Sequence, residues 1–203
     1  MSALPSHPQR NSIRLQLRQN PLLQAMTPLQ WSELEPLLGV ADYRKGEPLA
    51  RQGDEEMEQF FILDGMVKRV VSNPEGREMI LRFAAETEMD TSYAAWRLRT
   101  PVPYSIAAVT KVRTAELPMP QWADFLERHA EVKLRFEYEV MKLMSEVMAH
   151  TITLHLLDAP GRLARFQRKH PELAGRIPKK ELAAYLNLTP ETLSRLRQKR
   201  GEP

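Results

Sequence analysis

Between Ala130 and Leu157 the chain contains neither glycine nor proline, although its 203 residues include 8 glycines and 16 prolines. A run of that length without a breaker reads as one long helix. It separates two flanks of different texture. From Val40 to Pro118 short β-like runs alternate with turn signals. Lys45-Gly46, Gly53-Asp54, Asp64-Gly65 and Asn73-Pro74-Glu75-Gly76 punctuate the runs Phe60–Leu63, Met66–Ser72, Glu78–Phe83 and Ser105–Leu117. Short strands at this regular spacing predict a barrel or sandwich. Ahead of them, Thr27-Pro28 supplies an N-cap and a first-turn proline, and Leu29, Leu34, Leu37 and Leu38 form an apolar stripe ending at Gly39. A short helix is expected there, and another over 119–129. Residues 1–20 are polar, carry Arg10, Arg14 and Arg18 without an acidic residue, and read as a flexible arm.

Within the long helix Phe136, Val140, Leu143, Val147, His150, Leu154 and Leu157 recur at alternating spacings of 4 and 3. That is the pattern of a left-handed coiled-coil seam, so this face is expected to hold two copies together. The alternative is that the same face packs on its own domain.

The net charge of +3 is unevenly distributed. Residues 1–158 hold 18 basic and 22 acidic groups, whereas 159–203 hold 11 and 4. A basic C-terminal segment is the electrostatic footprint of a phosphate-backbone binder, although solvated basic tails are also common.

Residues 178–199 give that charge a framework, because they meet the mechanical demands of a helix-turn-helix. Leu182, Leu186, Leu188, Leu193 and Leu196 can form its core, and Ala183 is small where the helices approach. Asn187 sits at the turn that needs a left-handed residue. Thr189 caps the second helix and Pro190 takes its first position. With Leu193 and Leu196 inward, Glu191, Thr192, Arg195 and Gln198 face out as candidate base contacts. Lys179, Lys180, Thr189, Ser194, Arg197, Lys199 and Arg200 are candidate phosphate contacts. An ordinary amphipathic hairpin is the alternative.

The linker Leu157-Asp-Ala-Pro-Gly-Arg-Leu-Ala164 and the segment Leu188-Thr-Pro-Glu-Thr-Leu-Ser-Arg-Leu196 resemble the Crp/Fnr family of catabolite-activator-type regulators. So do Leu49-Ala-Arg-Gln-Gly-Asp54 and Phe61-Ile-Leu-Asp-Gly-Met-Val-Lys68. The resemblance spans 27–199 and implies an α+β architecture: a cyclic-nucleotide-binding-type jelly-roll barrel, a dimerisation helix and a helix-turn-helix. The expected organisation is arm 1–20, sensor barrel 21–129, dimerisation helix 130–157 and DNA-binding domain 158–203. It further implies a homodimer reading a palindromic duplex, with RNA polymerase as a candidate partner, and base-contacting roles for Glu191 and Arg195. Pro190 replaces an arginine that many members carry. The sequence stops at Pro203, so the family's wing hairpin is not expected.

In the family, a glycine–glutamate pair and an arginine hold the nucleotide phosphate and ribose, and a Thr/Ser pair on the dimer helix reads the adenine. The corresponding residues are Thr91-Ser92, Val102-Pro103 and Val147-Met148. A buried phosphate without its counter-charge is prohibitive, so tight cyclic AMP binding is not expected. Thr91, Ser92, Tyr93, Arg97, Arg99 and Tyr104 remain as a possible pocket for another, unidentified effector, against the alternative of a plain loop with solvated arginines.

Other chemistries find little support. There is no cysteine, which excludes disulfides, thiol catalysis and cysteine-ligated metal. His150 is a candidate pH switch or haem ligand, or simply an interface histidine. His7, His129, His155 and His170 lack metal-ligand spacing, so neither a metal nor a cofactor is expected. Glu86, Glu88 and Asp90 read as a charged loop, and no nucleophile–base pair suggests an enzyme. With no spanning segment and no secretory signal, a cytoplasmic protein is expected. The competing reading is a ligand-binding or scaffold module whose helical hairpin contacts protein.

Overall fold

A computed structural model of the chain describes residues 2–76 and 78–199, except the Lys199 side chain. The chain opens with strand β1 (Ser2–Ala3) and helices α1 (Arg10–Leu17), α2 (Pro21–Gln24) and α3 (Pro28–Leu34). Strands β2 (Gly39–Tyr43), β3 (Pro48–Ala50), β4 (Glu58–Asp64), β5 (Met66–Ser72), β6 (Glu78–Ala85) and β7 (Met89–Thr91) follow. After α4 (Tyr93–Leu98) come β8 (Ser105–Ala108), β9 (Val112–Pro118) and α5 (Met119–Arg128). The long helix α6 (Ala130–Leu156) leads to α7 (Ala159–Lys169), α8 (Pro171–Ala174), α9 (Lys179–Tyr185) and α10 (Pro190–Lys199).

The strands form two antiparallel sheets, ordered β1-β2-β9-β4-β7 and β3-β8-β5-β6. Strand alternation explains how four layers assemble. Phe60 and Ile62 on β4 meet Val67, Ala84 and Ile106 in the core between the sheets. Phe61 and Leu63, on the other face of β4, pack with Trp31, Trp122 and Phe136 from the helices. On the second sheet, Met66, Val70, Ile80 and Phe83 point away from the sandwich core and pack with Leu163, Phe166, Leu182 and Tyr185 of the C-terminal helices. The β4–β5 turn requires Gly65, which has φ +85°, and a Cβ there would lie 2.1 Å from the Lys111 carbonyl oxygen.

Two sequence expectations are corrected. Residues 1–20 are not an arm: β1 extends the first sheet, and Leu4, Ile13 and Leu17 are buried. The arginines that suggested solvation have partners elsewhere in the fold. Arg10 and Arg14 pair with the buried Glu35 at 2.5 and 3.5 Å, and Arg18 lies over the Trp31 ring.

The expected seam on α6 likewise faces inward. Phe136 is fully buried, edge-on to both Tyr93 and Trp122, and Leu143 and His150 are buried too. Val140, Val147 and Leu154 are half-buried. Packing on its own domain is therefore the reading that holds for this face. Exposed instead are Leu134, Tyr138, Met141, Met144, Met148 and Ile152.

Candidate nucleic-acid interface and barrel interior

The α9–α10 pair forms through local chemistry. Asn187 adopts φ 52° at the turn, the left-handed conformation that asparagine tolerates. Backbone N–H groups of Asn187 and Leu188 donate to Ala184 and Ala183 at 3.1 and 2.8 Å, closing α9. The Thr189 hydroxyl then accepts from the Thr192 N–H at 3.2 Å, and Pro190 begins α10. Leu182, Ala183, Leu186 and Leu193 are buried, so the inward face matches the spacing argument.

The opposite face of α10 presents Glu191, Arg195 and Gln198 to solvent, with Thr192 half-buried beside them. The Glu191 carboxyl is held below its usual range, by a hydrogen bond to its own backbone N–H first and by Thr189 second. Lys179 and Lys180 are exposed at the start of α9, while Ser194 is half-buried. Arg197 is half-buried and donates to the Ala174 carbonyl at 3.4 Å, which turns it toward its own domain. The Lys199 side chain and Arg200 lie outside the described residues.

These helices are fixed to the second sheet by more than apolar packing. Lys68 on β5 pairs with Glu181 on α9 at 2.8 Å, and Arg176 pairs with Glu86 at 2.7 Å. His150 of α6 stacks flat on Tyr185 of α9, with centroids 3.8 Å apart and planes 4° from parallel. Burial pushes the His150 pKa down to about 4 and the Tyr185 pKa up to about 12.

The suggested effector residues differ in exposure. Thr91, Ser92 and Tyr93 are buried, whereas Arg97 and Arg99 are exposed. Tyr104 is half-buried and its hydroxyl donates to the Thr91 carbonyl at 2.8 Å. Tyr93 donates to Glu137 at 3.1 Å, and Arg97 reaches the Tyr93 hydroxyl at 3.4 Å.

What fills the neighbouring interior is a cluster that sequence reasoning missed. Arg69 on β5 is 2% exposed, ion-pairs with the fully buried Asp90 and donates to the Thr91 carbonyl at 3.1 Å. Its guanidinium lies 4.1 Å from the centre of the Tyr104 ring. Arg82 on β6 reaches the other Asp90 oxygen at 3.3 Å and Glu88 at 2.9 Å. Glu86 pairs with Arg176 while Glu88 and Asp90 share Arg82, so the three are ion-pair partners and not simply a charged loop. The available signal was strand parity: Arg69 shares a face with Val67, and Arg82 with Ala84, both in the sandwich core.

Among the described residues no group of three His, Cys, Asp or Glu side chains could hold a metal ion. No described helix is long and apolar enough to cross a membrane.

Residues 40–129 match the family profile described as the cyclic nucleotide-binding domain. A comparison with curated proteins gave no match. Solved structures share the fold over most of both chains. FixK2 from Bradyrhizobium japonicum aligns with a TM-score of 0.70 at 17% identity, covering 81% of this chain and 86% of its own. The c-di-GMP responsive global regulator CLP from Xanthomonas campestris gives 0.69 at 15% identity, covering 86% and 92%. A protein from Eubacterium rectale assigned to the crp/fnr family of transcriptional regulators gives 0.71 at 16% identity, covering 90% and 87%.

Proposed function

We propose that this chain, a cyclic nucleotide-binding-type jelly roll in a fold shared with Crp/Fnr regulators, is a homodimeric transcription regulator that reads a palindromic duplex through α10. The observation that carries the reading is the α9–Asn187–α10 unit. Its exposed Glu191, Arg195 and Gln198 lie on one face, with Lys179 and Lys180 beside it and a C-terminal segment of net +7 behind it. Arginine suits guanine, glutamate suits cytosine, and the lysines suit phosphates.

The second copy seats on the exposed stripe of α6. Leu134, Tyr138, Met141, Met148 and Ile152 repeat at spacings of 4, 3, 7 and 4, a heptad register with Ser145 at the intervening position. Apolar side chains along a single helix, in a coiled-coil register, complement the same stripe on a copy of the chain. Pairing there sets the two α10 helices for successive major grooves about 34 Å apart.

Cyclic AMP is not the effector in this reading. Thr91 and Ser92 are buried where the family holds the phosphate, and the nearby arginines Arg69 and Arg82 are already committed to Asp90.

The test is selection from a random duplex pool with the purified chain, followed by fluorescence anisotropy across a salt series. A palindrome with half-sites one helical turn apart, bound with a steep salt dependence and lost on Arg195→Ala, is expected. No enrichment at low salt, with or without cell-extract metabolites, would overturn the reading.

A further inference from the structure

A cleft where α6, α7 and α9 converge is lined by His150, Arg162, Arg165, Lys169, His170 and Tyr185, among others. Arg162, Arg165 and Lys169 follow one another on α7 at spacings of 3 and 4, so they share one helix face. Cations usually occupy the outer face of a helix, yet Arg162 and Arg165 are half-buried. Among the described residues none of these three cations forms an ion pair. The Nε of Arg162 is shielded from solvent and has no hydrogen-bond acceptor. A buried charged donor without an acceptor is costly, and three like charges around one cleft add repulsion. The acidic groups nearby are Glu172, 3.7 Å from His170, and Glu146, which borders an adjoining cleft.

We propose that this cleft binds a compact phosphate-bearing anion, with Arg162 and Arg165 as directional donors and Lys169 as a charge at its edge. An oxyanion gives the Arg162 and Arg165 guanidinium groups a shared counter-charge and offsets the repulsion among the three cations. The two histidines on the cleft wall report on its charge. Both pKa values are lowered, first by burial and then by Lys169. Bound there, the anion sits where α7 meets the end of α6, at the joint between the long helix and the C-terminal helices. Phosphate binding at this joint does not depend on whether α10 reads DNA.

The experiment is a histidine-resolved NMR titration of the full chain in phosphate-free buffer at constant ionic strength. Inorganic phosphate, a 5′-nucleoside monophosphate and a short DNA duplex are added in separate arms. Either small anion is expected to raise the pKa of His150 and His170 by about half a unit or more, because a nearby anion favours the charged imidazole. His7, His129 and His155 should not move. Arg162→Gln with Arg165→Gln should abolish the shift without lowering the thermal melt. If that pair does not fold, the exposed Lys169→Gln should weaken it several-fold. A response to phosphate alone identifies the free ion, and a stronger response to the monophosphate identifies a nucleotide. Equal movement of all five histidines, no movement, or movement with the duplex alone would overturn the proposal.

Discussion

Arg69 and Arg82 stand directly opposite each other on β5 and β6, and Asp90 ion-pairs with both. Like charges at a cross-strand position repel, so the register of these strands depends on a carboxylate supplied by β7. Asp90→Asn nearly preserves shape but leaves two buried guanidinium groups facing each other. A loss of about 3–5 kcal/mol is expected, the cost of breaking a buried charge pair from one side, read from urea unfolding at pH 7. Glu88→Gln should cost much less, because that side chain is 41% exposed and Arg82 keeps Asp90.

Charges placed on the exposed stripe of α6 should separate association from folding. Met148→Glu and Ile152→Glu lie at 66% and 50% exposure, so each should yield a folded monomer by sedimentation equilibrium. Leu143→Ala, on the buried face, should instead cost about 2–5 kcal/mol through lost burial and a cavity. A dimer that survives both glutamate substitutions would place the interface elsewhere.

The contrast between those faces shows where the sequence was legible. α6 carries two heptad-compatible apolar stripes, one against the sandwich helices and one open to solvent. Spacing reports that a stripe exists but not what covers it. Asn187, Thr189 and Pro190 were readable because a turn and a cap are decided by neighbours within four residues. The same locality made the Thr27 cap readable, while Gln30, which completes a capping box with it, was not singled out. Arg10 and Arg14 were misread because their carboxylate, Glu35, lies 25 and 21 residues away in sequence and only the fold brings it near. Arg69, Arg82 and Asp90 were missed for the same reason: β5 and β6 must pair, and the sheet carrying β7 must pack over them, before their charges meet.

On the proposed DNA face, different residues should fail in different ways. Arg195→Ala should lower affinity for the selected site by about 1–3 kcal/mol, the worth of one bidentate base contact, and relax preference at one base pair. Lys180→Ala should weaken all sequences alike and reduce the salt slope by about one. Arg197→Ala should act on stability as well, since Arg197 already reaches the Ala174 carbonyl. Anisotropy with matched and mismatched duplexes at several salt concentrations distinguishes these patterns.

The His150–Tyr185 stack makes stability depend on pH with a definite sign. The imidazole pKa falls from 6.5 to about 4, chiefly through burial, so the folded chain keeps it neutral while the unfolded chain protonates it. Between pH 6.5 and about 4 the unfolded state therefore binds more protons, and stability is lost as pH falls through that window. The full loss attributable to this side chain is about 3 kcal/mol. His170, also lowered by burial and then by Lys169, contributes in the same direction. His150→Phe keeps a flat ring against Tyr185 but cannot accept a proton. Its unfolding free energy should converge on and then exceed that of the natural chain as pH drops from 7 to 4. Carboxylates common to both proteins cancel in the difference, so parallel curves would mean that the imidazole is not held neutral in the stack.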